Sequence, residues 1–443
     1  MRTRAHELRE QWQLSLPLAL SYLAQNLMGL VDTAMLGRYS DQALAGAGIG
    51  NSLVFVLTVF GVGAVMGMDT LIPQALGAGE HGRARQLLAA GLRLCAWIGV
   101  PLVAITALTP LLLPLAGVEP EVVAEARIYV FWRLPAIVPF LLFTAMRSYL
   151  QANGATRVIV IATIVGNLVN VVADLTLVFG VDALGIPAFG SAGAAVATSI
   201  VTIAMMSMLA IAVAGVARTA DDGTVARPDA ARRILRLGLP VGLQLTAEVG
   251  VFGLAAVLAG SLGTVPAGAH QVALTLASFT FSAVIGIGAA TSVRVGRAVG
   301  RGDIPATRHA GVTGLLFGAG FMSLTALVFL IFPAPLARLF TDDEIIIAAT
   351  VPLLRIAAVF QLSDGAQAIA AGALRGAGDT RSPLYGNLIG HYLIGFPVML
   401  ALAFAADLGA PGLWWGLSAG LTVTAVALTL RFLAVSTRPI ARA

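Results

Sequence analysis

Apolar runs long enough to cross a bilayer as helices recur twelve times along this chain, at approximately 13–36, 44–71, 87–114, 124–149, 158–180, 190–215, 233–260, 266–293, 309–336, 346–373, 382–406 and 410–435. Only short polar turns separate most of them. With 58% hydrophobic and 11% charged residues over 443 positions, and a mean hydropathy of +0.90, the composition excludes a soluble protein of this size. The expected fold is an all-α polytopic membrane protein.

All 27 basic residues are arginine, and the net charge of +5 would suggest nucleic acid only if they clustered on a soluble face. They gather instead at alternate ends of the spans. Arg2, Arg4 and Arg9 precede span 1, Arg83 and Arg85 follow span 2, Arg157 follows span 4, and Arg218, Arg227, Arg232 and Arg233 follow span 6. Arg294, Arg297, Arg301 and Arg308 mark the end of span 8, Arg375 and Arg381 that of span 10, and Arg438 and Arg442 the tail. The opposite loops carry acids: Glu119, Glu121, Asp182, Asp342, Asp343, Glu344 and Asp407. The positive-inside rule therefore predicts a multi-pass protein with both termini cytoplasmic and no nucleic-acid partner. The first run is too long for a signal peptide and lacks a small-residue cleavage site, so it reads as a retained span. Cys95, the single cysteine, predicts no intrachain disulfide and fits no metal motif.

The second half repeats the first. Leu16-Pro17 is matched by Leu239-Pro240, Gly37 by Gly260, the turn LGAGE ending at Glu80 by VGRGD ending at Asp303, and Arg85 by Arg308. LQANGATR, from Leu150 to Arg157, is matched by LRGAGDTR, from Leu374 to Arg381, and the offset stays at 223 or 224 residues throughout. So constant an offset predicts tandem six-span lobes, 1–216 and 234–443, joined by a hydrophilic cytoplasmic linker at 217–233. Because six is even, the lobes share one orientation. A pseudo-twofold axis along the membrane normal would relate them, with a midplane cleft between them and alternating access by rocking.

Polar residues inside the spans are the candidate site. In span 5, VIVIATIVGNLVNVVADLTLVFG, Asn167, Asn170 and Asp174 interrupt the apolar run, and Asn170 and Asp174 share one helix face. Measured from the outward ends of spans 1, 5 and 6, Asp32, Asp174 and Thr198 lie roughly 6, 9 and 12 Å deep at 1.5 Å per residue, so they can share one layer. At the 223 offset Gln25 aligns with Glu248 and Asp32 with Ala255, and Asp174 and Asp364 also lack acidic counterparts. This asymmetry predicts a specialised site in each lobe. The competing reading of each acid is a hydrogen-bonded carboxylate that holds helices together, at a cost of roughly 2.5 kcal/mol or more at mid-membrane. Asp69 suits capping or snorkelling as well as transport. Arg133 and Arg355 are expected to be buried and paired within spans 4 and 10. His270 and His391 are expected to be polar contacts between helices, and proton shuttling is the competing reading.

VDTAMLG in span 1, GMDTLIPQALGAG after span 2, GAHQVAL, SVRVGRAVGRGD and LRGAGDTRSP together resemble the multidrug and toxic compound extrusion (MATE) transporters, particularly their NorM-like branch. The resemblance covers nearly the whole chain and departs in span 8, where FSAVIGIGAA stands in place of a proline-containing stretch. It implies an inner (cytoplasmic) membrane antiporter, functional as a monomer among membrane lipids. Such a protein exports small-molecule organic cations of amphipathic character in exchange for Na⁺ or H⁺, with no cofactor beyond that coupling ion. The family's cation-coupling site resembles Asp32, Asn170, Asp174 and Thr198, which would be the Na⁺ ligands in a sodium-coupled protein. Its substrate-binding acids resemble Glu248 and Asp364, to which we add Gln25 and Tyr22. The alternative is a flippase for lipid-linked oligosaccharide or peptidoglycan precursor, which would expect an Arg- or Lys-lined cavity for pyrophosphate. An intramembrane enzyme is disfavoured, because His6, His81, His270, His309 and His391 form no catalytic or metal motif. The chain has no lysine and no Walker motif, which excludes ATP hydrolysis by this chain.

Overall fold

A computed structural model describes residues 4–217 and 229–443. Every expected span forms a helix among these residues: Glu7–Tyr39, Asp41–Gly77, His81–Ala116, Pro120–Ala152, Thr156–Leu177 and Gly190–Val216 in the first half. Ala230–Ser261, Thr264–Arg301, Ile304–Ile331, Glu344–Ala377, Arg381–Ala405 and Ala410–Val435 follow in the second. No strand is formed among the described residues. A single bridge between Val181 and Ile186 closes the turn after span 5. Span 8 runs as one α-helix of 38 residues, unbroken through FSAVIGIGAA. Span 11 instead widens into π-helix at Leu388–Gly395 and again at Ala401–Ala405.

The duplicated turns are duplicated in backbone geometry. Gly79 (φ +80°) and Gly302 (φ +71°) occupy matching positions, as do Gly154 (φ +81°) and Gly378 (φ +91°). A left-handed residue after the last helical turn lets the N–H groups fold back on the final carbonyls. Gly302 does so toward Ala298 and Val299, and Gly378 toward Leu374 and Arg375.

Packing groups the chain into two units, one spanning Leu20–Gly242 and the other combining Met1–Ala19 with Leu243–Ala443. In the first, Leu36, Ala43, Ala47, Tyr129, Val178, Ala194 and Ala195 form a core of mostly small residues. The start of span 7 belongs to this unit, where Gly238 lies against Ala64 and Gly242 against Gly63. In the second, span 10 is central and packs on spans 8, 9 and 12, with Phe360 and Trp414 edge to face at 5.4 Å. The start of span 1 docks here on span 8, with Gly286 against Ala19. Both divisions fall just past the repeated prolines, Pro17 and Pro240, which lie inside helices and each remove one backbone hydrogen bond. The lobes and linker expected at 1–216, 217–233 and 234–443 are divisions along the chain and stay our proposal. Residues 218–228 of that linker lie outside the described residues.

The glycine contacts give a stability test. A methyl group at Gly238 would stand 1.8 Å from the Ala64 carbonyl oxygen, whereas one at Gly253 meets nothing within 4 Å. Gly238→Ala is predicted to destabilise the protein by about 1–3 kcal/mol through overpacking. Gly253→Ala should be neutral or stabilising by up to about 1 kcal/mol through helix propensity. Thermal unfolding of the two purified variants checks both, and equal melting points would contradict the packing described.

Candidate functional site

Asp32 comes from span 1, Asn170 and Asp174 from span 5, and Thr198 from span 6; all four side chains are buried. The apolar faces of the three helices hold them there. Thr198 Oγ1 donates to Asp32 Oδ2 at 2.9 Å, and Asp174 lies close enough to Asp32 for the two carboxylates to act on each other directly. The same threonine hydroxyl lies 2.9 Å from the Ala194 carbonyl, so its single proton serves one oxygen at a time. Asp32 Oδ1, both oxygens of Asp174 and Oδ1 of Asn170 are buried without a protein hydrogen-bond partner. A charge in an apolar interior needs a neutralising partner. Oxygen donors alone suit a proton or a hard cation such as Na⁺, and unpartnered buried oxygens are what such an ion would satisfy. Among the described residues no cluster of three or more His, Cys, Asp or Glu suits a metal of another kind.

Sequence reasoning missed the tyrosine beside this pair. Tyr129 in span 4 is buried, feels the charges of Asp32, Asp174 and Arg133, and donates weakly to Asn51 Oδ1 at 3.4 Å. Its signal was a hydroxyl inside an apolar span, one helical turn from Arg133. The expectation for the two mid-span arginines needs correction. Arg355 is exposed, on the side of span 10 away from its buried neighbours Leu354 and Ile356; Arg133 is half-buried with its Nε unpartnered. An apolar run does not reveal which way one of its residues faces when each step turns the helix by about 100°.

Other polar residues of this unit tie helices together. Ser21 and Thr163 share a hydrogen bond of 2.8 Å, and Asn167 Nδ2 donates to the Ala24 carbonyl at 2.9 Å. Asp69 accepts from Gln151 Nε2 at 3.1 Å. Gln25 and Tyr22 are half-buried on span 1; the Tyr22 ring faces Arg147, whose guanidinium carbon is 4.7 Å from the ring centre.

In the second unit, Glu248 and Asp364 are both buried and close enough to feel each other's charge. Glu248 Oε2 accepts from Asn387 Nδ2 at 3.2 Å and Gln367 Nε2 at 3.4 Å. Gln244 lies one turn below on the same helix. The carbonyl oxygens of Gln244, Gln367 and Asn387 are buried and unpartnered, so the acid pair sits among amides that hold unused acceptors. These amides were also missed, although Gln367 lies one turn from Asp364, and Asn387 immediately precedes the π-helical stretch. His391 and His270 pack against rings, His391 on Phe252 at 6.4 Å and His270 on Trp414 at 5.9 Å. Among the described residues neither histidine has a hydrogen-bond partner, so the polar contacts expected of them are corrected to ring packing.

Among the described residues, twelve membrane-length helices carrying buried acids in each of two packing units define a polytopic membrane protein. The MatE family model matches residues 17–176 and 240–400, two segments separated by the repeat offset. The probable multidrug resistance protein NorM of Pseudomonas putida is 36% identical over 442 residues, covering 96% of this chain and 94% of that one. The multidrug resistance protein NorM of Burkholderia vietnamiensis is 36% identical over 428 residues, covering 95% and 92%. The chain therefore belongs to the MatE family, in its NorM-like branch, and is a transporter rather than an enzyme. Solved structures share the fold. The eukaryotic MATE transporter AtDTX14 superposes with a TM-score of 0.87 at 21% identity, with 98% of each chain covered. The Vibrio cholerae MATE transporter VcmN in its bent form gives 0.86 at 23%, with 98% and 97% covered.

The unequal bonding of the buried acids gives a second test. Asp174→Asn is predicted to raise thermal stability in sodium-free buffer by about 1 kcal/mol, because it separates two buried like-charged groups and leaves no protein donor without its acceptor. Asp69→Ala should lower it by a similar amount, because it leaves Gln151 without its acceptor. Melting curves that fall for both variants would show that Asp174 is a structural acid after all.

Proposed function

We propose that this transporter exports amphipathic organic cations in exchange for inward Na⁺ or H⁺ by alternating access. Asp32, Asn170, Asp174 and Thr198 bind the coupling ion, and Glu248 and Asp364 recognise substrate charge with help from Gln25 and Tyr22. The observation that carries this reading is the set of unpartnered buried oxygens on Asp32, Asp174 and Asn170. Two adjacent carboxylates in an apolar medium demand positive charge, and either a proton or a sodium ion supplies it. Proton and sodium then compete for the same oxygens, since a protonated acid is a poor cation ligand. Thr198 orients Asp32 through its hydroxyl and supplies a neutral oxygen when that proton turns to Ala194. The names of the NorM relatives as multidrug resistance proteins support export as the direction of transport.

Asp32→Asn and Asp174→Asn should lose ion-driven efflux yet retain substrate binding, and Thr198→Ala should weaken ion affinity only about tenfold. Glu248→Gln and Asp364→Asn should abolish transport of monovalent organic cations. Binding and flux measured on the same purified variants, with an imposed Na⁺ or pH gradient across proteoliposomes, check all five. Loss of substrate binding with ion coupling intact in the Asp32 or Asp174 variants would show that the two sites have been assigned the wrong way round.

Residence in the inner membrane with both termini cytoplasmic is the matching topology, supported by the arginine alternation. In a Cys95→Ala background, a cysteine at the exposed Asp229 should resist a membrane-impermeant thiol reagent in intact cells and react once they are opened. Labelling of intact cells would reverse the orientation.

A further inference from the structure

Tyr392 makes a hydrogen bond that the reading above does not use. Its hydroxyl donates to the Ala247 carbonyl of span 7 at 2.7 Å, and Ala247 immediately precedes Glu248. Five residues before Tyr392 on span 11, Asn387 Nδ2 donates to the Glu248 carboxylate at 3.2 Å. Between the two, His391 packs on Phe252 of span 7 at 6.4 Å. One face of span 11 therefore meets span 7 at Ala247, Glu248 and Phe252.

A regular α-helix turns one of these residues away: at about 100° per residue, Tyr392 would point about 140° from Asn387. A π-helix closes its hydrogen bonds between residues i and i+5, which brings positions five apart back to nearly the same side. Leu388–Gly395 is such a segment, and the N–H of Phe396 bonds the His391 carbonyl five residues back. Pro397 supplies a local cause, since it has no N–H for the Leu393 carbonyl that an α-helix would pair with it. Span 12 closes the other side of the segment. A methyl group on Gly390 would stand 2.7 Å from the Gly420 carbonyl oxygen, and one on Gly395 would stand 3.1 Å from that of Gly416.

Span 7 is shaped to take the hydroxyl. A methyl group at Gly250 would meet a single atom within 4 Å, Tyr392 Oη at 2.7 Å. The Ala247 carbonyl keeps a second lone pair for the helical N–H of Val251, so the added bond leaves the helix intact. Neither residue has a counterpart in the repeat. The 223 and 224 offsets place Leu27 or Asn26 opposite Gly250 and Val169 or Leu168 opposite Tyr392, and span 5 is α-helical over Thr156–Leu177. The arrangement belongs to the half that holds Glu248.

We propose that Tyr392 is a positioning residue for Glu248: through the Ala247 carbonyl and the π-helical register of span 11 it fixes the rotation of span 7, so that a cationic substrate meets the acid already oriented. This rests on the reading that Glu248 recognises substrate charge.

Binding of tetraphenylphosphonium, a monovalent organic cation, to the purified protein tests this in a double-mutant cycle. Tyr392→Phe should weaken binding about fivefold, and Gly250→Ala should do the same because its methyl group displaces the hydroxyl. Glu248→Gln should weaken binding further, and adding Tyr392→Phe to it should change the result by less than about twofold, since the tyrosine acts only through the acid. Equal weakening by Tyr392→Phe in both backgrounds would mark the tyrosine as structural and overturn the proposal. So would unchanged binding in Tyr392→Phe. Unaltered binding in Glu248→Gln would instead remove the substrate reading, and the positioning is then read without substrate. The carboxyl stretch of Glu248, assigned in the infrared spectrum by its loss in Glu248→Gln, should shift in both Tyr392→Phe and Gly250→Ala. A band that stays in place in both variants overturns the proposal whatever the binding result.

Discussion

A charge moved from water into a hydrocarbon medium must find a partner, and the placement of partners sorts the polar residues of this protein by role. Arg294 has its glutamates, and Asp69 has Gln151. Asp32 and Asp174 have each other and an incomplete set of donors, which stabilises neither as an anion. A protein stable only by a modest margin retains such a deficit where a ligand removes it during function. The acids of the second unit differ in kind. Glu248 is held by two amide donors, so it keeps a defined orientation, whereas the neighbouring amide oxygens remain free to accept. One arrangement suits a small ion that replaces hydrogen bonds; the other suits a larger cation that meets a preset carboxylate.

Much of this was legible in the sequence because a membrane permits few solutions. Hydropathy located all twelve spans, and the repeat identified the turns where glycine adopts positive φ. Depth counting brought Asp32 and Thr198 into one layer, where a hydrogen bond now joins them. Rotation about each helix axis and lateral neighbours were not legible. Arg355 read as buried because its run is apolar, yet its side chain faces outward. Tyr129, Gln367 and Asn387 were missed because each is a common helix-bridging residue until the acid it faces is known. The prolines at 17 and 240 were legible as a repeat but not as the places where the chain leaves one packing unit for the other.

That passage between units bears on the order in which the protein is made. Glu7 and Gln11 emerge from the ribosome early, but the arginine that neutralises the glutamate and bonds the amide lies 287 and 283 residues further along. Until span 8 has been inserted, the start of span 1 presents an acidic, amide-bearing helix with nowhere to dock. Gly238 and Gly242, which complete the packing beside Ala64 and Gly63, likewise arrive only after the sixth span has been built. The first unit is therefore complete only once span 7 has begun, and the start of span 1 waits for the second. The start of span 1 is thus among the last segments to be buried, and a chain stopped short of the end of span 8 leaves Glu7 and Gln11 without their arginine.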